Sequence, residues 1–123
     1  MENLAAGEAF GPVYSLTAVM KLLALTEAEV ADLVWTDRLL ALPVEDDLLF
    51  PTFQFEGHEI RQDVINVART LTKASDVFSA AQWLHAKIAS VPNPSRLRAH
   101  ELLKADPAAV RQAALETTAR WSA

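Results

Sequence analysis

The residues of this chain best suited to acid–base or metal chemistry are its three histidines, His58, His85 and His100. A metal site needs ligands that converge on one point, and two histidines on a helix do so when they lie four residues apart. No two of these histidines have that spacing. We therefore expect no zinc site and no cofactor.

Side chains for nucleophilic or hydrolytic catalysis are no better arranged. Asp46 and Asp47 are adjacent, and in an extended hairpin this spacing sends them to opposite faces, which favours turn residues over a catalytic pair. The serines lack the context of a nucleophile elbow, and with glycine only at positions 7, 11 and 57 there is no phosphate-binding loop. Cysteine is absent, which excludes thiolate chemistry and disulfides. We expect a protein that is not an enzyme.

Tryptophan and arginine, the residue types that dominate interface energetics, suggest binding instead. Trp83 lies well over 90° from the centre of the apolar stripe of its predicted helix, so it either faces a partner or is buried in a helix that packs on two sides. Trp121 lies two residues from the chain end, where it either pins the tail or enters a partner's pocket. The candidate partner-binding residues are Trp83, Arg96, Arg98, Arg111, Arg120 and Trp121.

Two short helices are predicted after a flexible arm over residues 1–14. Ser15 is the predicted cap of the first helix. Thr26 and Glu29 have the spacing of a capping box, which predicts the start of the second.

A small β-hairpin follows these helices. Apolar runs at 39–44 and 48–51 flank the polar residues 45–47, a pattern typical of two strands and a turn. Pro43 and Pro51 cannot donate hydrogen bonds to a ladder, so both belong at edges or strand ends.

From residue 60 onward the apolar pattern is helical. Asp76 or Ser75 is the predicted cap of the next helix, the prolines within 92–94 stop that helix, a short helix covers 100–104, and Asp106 caps the last helix. The stripes consist of Val64, Ile65, Ala68 and Leu71 in one helix, Val77, Ala81, Leu84 and Ile88 in the next, and Val110, Ala114, Thr117 and Trp121 in the last.

Charge divides the chain into two unlike halves. Residues 1–59 carry eleven acidic and two basic side chains, a net −9, whereas residues 60–123 carry five acidic and nine basic ones, a net +4. Such asymmetry indicates either an oriented encounter with a charged partner or solvated faces that happen to differ. With no apolar run of transmembrane length and no signal-peptide pattern, we expect a cytoplasmic protein with no membrane partner.

The predicted fold is mainly α with a small β-hairpin. An abbreviated winged-helix-like part over residues 15–57 precedes a compact helical partner-binding domain over 58–123. The charge of −9 on residues 1–59 would repel DNA phosphates, and no second recognition helix fits between Trp35 and Leu39. We therefore expect weak or no DNA binding. A winged-helix transcriptional regulator with a helical dimerisation domain is the alternative.

The order of motifs along residues 39–121 is more distinctive than any single motif. An aromatic tract leads into a helix, a helix with Trp-Leu, a proline-rich turn, a short Leu-Leu helix and an alanine-rich last helix. The residues are Phe50-Pro51-Thr52-Phe53-Gln54-Phe55, Trp83-Leu84, Pro92-Asn93-Pro94 with Leu97, Glu101-Leu102-Leu103, and Val110 with Ala113-Ala114. In this order the chain resembles the C-terminal toxin-binding domain of bacterial antitoxins of the Xre/MbcA/ParS class.

The resemblance implies a protein partner, a RES-domain toxin that degrades NAD⁺ and is held inactive by the antitoxin. The chain departs from the class at Ala99, where such proteins usually have proline, and in its abbreviated upstream helix-turn-helix. We expect an apolar surface with a basic rim to cover the toxin and the last helix to obstruct its active site. A homodimer is also compatible with the sequence.

Overall fold

The computed structural model of the chain describes residues 9–88, 92–93 and 96–123, and the backbone of residues 3–5. Its architecture is mainly α with a small antiparallel β part, as the sequence predicts. None of the described helices is long and apolar enough to cross a membrane. The strands are β1 (Asn3–Ala5), β2 (Pro12–Ser15), β3 (Leu42–Val44), β4 (Asp47–Pro51), β5 (Phe55–Glu56) and β6 (Glu59–Ile60); the α-helices are α1 (Leu16–Leu23), α2 (Glu27–Trp35), α3 (Gln62–Leu71), α4 (Val77–His85), α5 (Ala99–Ala105) and α6 (Pro107–Ser122).

The main sheet has the strand order β1-β2-β4-β3, with every neighbouring pair antiparallel. β3 and β4 form the predicted hairpin, and Glu45 begins its tight turn with a φ of 56°. Pro43 lies in the edge strand and Pro51 ends β4, as expected of residues that cannot donate to a ladder. β5 and β6 form a separate two-stranded ribbon.

The prediction of a flexible arm over residues 1–14 is wrong for its C-terminal part, residues 9–14, which the structure describes. There the chain turns at Gly11, with a φ of 70°, and enters β2, whose Val13 is fully buried opposite Pro51 of β4. A strand of four residues is too short to show the alternation on which a sequence prediction depends. Residues 1–2 and 6–8 of the predicted arm lie outside the described residues.

Local capping sets the helix starts where the sequence predicts them. Ser15 caps α1, and Thr26 and Glu29 form the capping box of α2, with hydrogen bonds of 3.1 and 2.9 Å. Asp76 and Asp106 cap α4 and α6 through backbone N–H groups three residues further on. Each cap satisfies a donor that the first turn of a helix leaves unpaired.

α4 ends earlier than its apolar stripe predicts. The stripe extends to Ile88, but the helix ends at His85 and Ala86 is already extended. The guanidinium of Arg98 donates a 2.8 Å hydrogen bond to the backbone carbonyl of His85, which satisfies that end of the helix from a distant segment. Pro94, part of the predicted proline-rich stop, lies outside the described residues.

The buried apolar side chains form two clusters that meet at the aromatic tract. Phe50 belongs to the smaller cluster, with α1 and α2, whereas Phe53 belongs to the larger one, with α3 to α6. Ile60 packs against both, and Leu40 and Leu42 from the N-terminal half also join the larger cluster. The two halves of the chain are therefore held together by buried side chains rather than by a linker.

Candidate partner-binding groove

Trp83 connects α4 to the last helix. Its side chain is half-buried against the larger cluster, and its indole N–H donates a 3.1 Å hydrogen bond to the hydroxyl of Thr117, which is 4% exposed. The ring is therefore fixed on one side by packing and by a polar contact. The other side of the ring lines an open groove, so Trp83 is buried on one side only.

This groove, which we call the tryptophan groove, lies between α4 and the C-terminal end of α6. Trp121 forms part of its wall and is 37% exposed. Two of the predicted partner-binding residues, far apart in sequence, thus share one site. The groove has a volume of about 490 Å³ and is lined by Ala74, Ser75, Ser79, Gln82, Trp83, Ala86 and Trp121.

Arg120 stands beside the tryptophan groove. Its guanidinium donates a 3.1 Å hydrogen bond to the same Thr117 hydroxyl that accepts from Trp83. This threonine fixes the position of an aromatic ring and of a cation at once. The cation remains exposed to solvent and is available to an acidic partner group.

The lining of the tryptophan groove suits binding better than acid–base chemistry. None of its side chains titrates near neutral pH: two are serine hydroxyls, one is a glutamine amide, and the rest are alanine or tryptophan. Open, mostly apolar surfaces with a few polar groups are typical of sites that receive a side chain or helix of another protein.

The other three predicted partner-binding residues lie outside the tryptophan groove. Arg111 lines a separate groove between α3 and α6, together with Leu115. Arg96 is exposed in the connection before α5, with a φ of 53°. Arg98 is partly buried and donates to the His85 carbonyl, so its guanidinium has a structural role. With Arg120 beside the tryptophan groove, the four predicted arginines therefore do not share one site.

His85 and His100, distant in the sequence, are neighbours in the structure. Their rings are nearly parallel, with centroids 6.4 Å apart, and Phe53 stacks on His100 at 4.9 Å. Burial lowers the pKa of His100 to about 4, partly opposed by the carboxylate of Glu101. Burial, followed by nearby positive charge, also lowers the pKa of His85. Both rings are therefore neutral at pH 7 and act as packing groups.

No group of three or more metal-binding side chains occurs in the part of the chain that the structure describes. The paired imidazoles of His85 and His100 have no third ligand there. Periodicity could not predict this pair, because the two rings come from different helices.

The sequence pattern did not single out Trp35 or Leu115, the two most exposed of the large apolar side chains in the described residues. Trp35 at the end of α2 is 88% exposed, and Leu115 on α6 is 56% exposed. The position of Trp35 along α2 does indicate that it is exposed. It lies seven residues, or about two turns, after Ala28, and on the opposite side of α2 from the buried Val30.

Comparisons with protein-family profiles, with curated proteins and with solved structures found no match to this chain. A functional assignment therefore depends on the site itself and on the motifs described above.

Proposed function

We propose that this chain is an antitoxin-like protein-binding module that binds and blocks a RES-domain toxin, an enzyme that degrades NAD⁺. The observation that carries the proposal is the sharing of one open groove by Trp83 and Trp121. Trp83 belongs to the Trp-Leu motif by which residues 39–121 resemble the toxin-binding domain of Xre/MbcA/ParS antitoxins, and Trp121 lies on the same last helix as the alanine-rich motif.

The tryptophan groove has the composition of an interface centre. Tryptophan supplies a large contact area with few rotatable bonds, and arginine and tryptophan are enriched among the residues that carry most binding energy. Because Thr117 already fixes the ring of Trp83, little side-chain entropy would be lost when a partner covers it.

The proposed mechanism is steric and electrostatic. An apolar segment of the toxin occupies the tryptophan groove, and the exposed end of α6 covers the toxin's active site. Arg120 supplies a cation at this end, and residues 60–123 carry a net charge of +4, which favours an acidic surface on the toxin. The chain supplies contacts and charge, and we assign it no catalytic step.

Calorimetry against a catalytically inactive RES-domain toxin tests the proposal. We expect Trp121→Ala to weaken binding by about 2 kcal/mol or more, as expected for a truncated hot-spot residue. Trp35→Ala is the matched control, because it removes a more exposed tryptophan from the other half of the chain. Equal affinities for Trp121→Ala and the unchanged protein would exclude the tryptophan groove from the interface.

A DNA-associated regulator is the second candidate function. It is favoured by the element order, since α1 and α2, joined by a short turn, precede the β3–β4 hairpin as in a winged helix. Against it, the exposed surface of α2 carries Glu27, Glu29 and Asp32, which would repel phosphates. Nanomolar, site-specific binding to duplex DNA near physiological salt would favour this candidate over the antitoxin.

A further inference from the structure

The exposed face of α2 has an apolar centre. Trp35 is 88% exposed, and Ala28 and Ala31 are exposed beside it. At 100° per residue, these two alanines lie about 20° and 40° from Trp35, on either side of it. The buried Val30 points the opposite way, towards the smaller cluster. This face, which we call the α2 face, therefore presents a tryptophan that nothing in the described part of the chain covers.

Acidic side chains border the α2 face. Glu27 and Asp32 lie about 80° and 60° from Trp35, one on each flank. Asp32 is paired with Arg38 at 3.0 Å, but Glu27 is exposed and Glu29 is held in the capping box, where hydrogen bonds from Thr26 lower the pKa of its carboxyl. The α2 face is thus apolar at its centre and negative at its rim, within a half that carries −9.

A surface of complementary character lies on the other half of the same chain. Between α3 and α6 is a groove of about 130 Å³ with Leu115, 56% exposed, on its wall. Its single charged lining residue is the cation Arg111. The remaining lining residues are Asn66, Val67, Thr70 and Ala114. We call this site the α3–α6 groove.

We propose that two copies of this chain associate head to tail, with Trp35 on the α2 face of one copy entering the α3–α6 groove of the next. Opposite charges favour this arrangement. The acidic rim of the α2 face meets Arg111, which lies in the half of the chain, residues 60–123, with a net charge of +4. Two α2 faces brought together would place Glu27 against a second acidic rim, so a symmetric contact through this helix is disfavoured.

The head-to-tail contact determines the size of the assembly, its strength and its dependence on salt. A contact between two different surfaces leaves one free surface of each kind on every dimer, so association continues into chains or closed rings. The contact area of one helix face on a two-helix groove is at the small end for specific interfaces, so association is weak. Because its charges are exposed, it weakens further as salt rises.

Sedimentation velocity over a range of concentrations tests the proposal. We expect the unchanged protein to show concentration-dependent species larger than a dimer, which about 0.5 M salt reduces. Trp35→Ala and the double variant Arg111→Glu/Leu115→Asp should each raise the apparent dissociation constant at least tenfold, with unchanged circular dichroism. Trp121→Ala, outside both surfaces, should assemble like the unchanged protein.

Mixing the two variants gives the sharpest test. Each retains one intact surface, so we expect the mixture to form a heterodimer and nothing larger, whereas each variant alone stays monomeric. A symmetric contact through Trp35 would instead let the double variant, which keeps Trp35, form homodimers on its own, and that result overturns the proposal, as does an unchanged protein that is monomeric at every concentration. The surfaces differ from the tryptophan groove, so failure here leaves toxin binding intact, and failure to bind toxin leaves self-association intact.

Discussion

The side-chain amide of Gln54 makes both hydrogen bonds that a neighbouring strand would make with the backbone of Leu40. Its oxygen accepts from the Leu40 N–H and its nitrogen donates to the Leu40 carbonyl, each at 2.8 Å, and the nitrogen also donates to the Pro51 carbonyl at 3.1 Å. Gln54 is fully buried. One glutamine thus joins the segment before the hairpin to the aromatic tract after it, where the two core clusters meet.

Replacing Gln54 by leucine should destabilise the fold. The volume is nearly kept, but the N–H and carbonyl of Leu40 lose their buried partners, which we expect to cost about 2 to 4 kcal/mol in free energy of unfolding. Urea denaturation would measure this cost. Gln112→Leu, at an exposed position on α6, is the control and should change stability by less than about 0.5 kcal/mol. Equal stabilities of the two variants would show that the Leu40 contacts contribute nothing.

Gly11→Ala should be more harmful than Gly57→Ala. Both glycines have positive φ angles, 70° and 61°, so alanine is strained at both positions. A Cβ atom on Gly11 would also lie 2.5 Å from Cε1 of His85, whereas at Gly57 it would meet open space. We expect Gly57→Ala to cost about 1 kcal/mol and Gly11→Ala clearly more, measured by thermal denaturation. The reverse order would mean that Gly11 does not lie against the ring of His85.

Stability should fall as the pH drops from 7 to 5. The pKa of His100 is lowered in the folded state to about 4 from an ordinary value of 6.5, so the unfolded chain takes up the proton first and is favoured as acid is added. We expect a loss of about 1 kcal/mol over this window, with solvent screening at the half-buried ring taken into account. Carboxyls with lowered pKa values, such as those of Glu56 and Asp76, contribute mainly below this range.

A His100→Phe variant removes the contribution of His100 and leaves that of His85, whose pKa is also lowered. It keeps an aromatic ring stacked on Phe53 but cannot be protonated, so urea denaturation at the two pH values should show a smaller difference than in the unchanged protein. If His100→Phe and the unchanged protein lose the same stability, the buried histidine is not the cause.

Features that depend on a few neighbouring residues were predictable from the sequence. The caps at Ser15, Thr26, Asp76 and Asp106 are local hydrogen bonds between residues three apart, and the structure contains all four. The hairpin was predictable for the same reason, since its turn and its apolar runs are contiguous.

Features that depend on the meeting of distant segments were not predictable in this way. The His85 carbonyl at the early end of α4 accepts a hydrogen bond from Arg98 of a later segment, and the pairing of His85 with His100 brings together residues of α4 and α5. Trp83 and Trp121 were identified by residue type, but their common groove exists because α6 returns to α4. The apolar pattern within one helix does not predict contacts between segments that are distant in the sequence.

The measurement that tests the central claim most directly is the rate of NAD⁺ consumption by a RES-domain toxin in the presence of this chain. We expect the unchanged protein to suppress consumption at near-equimolar amounts. A variant lacking residues 120–123, with unchanged circular dichroism, should need roughly thirtyfold more, the factor that corresponds to about 2 kcal/mol of lost binding. NAD⁺ consumption that continues undiminished in an excess of the unchanged protein would contradict the antitoxin function, and full suppression by the shortened variant would remove the end of α6 from the mechanism.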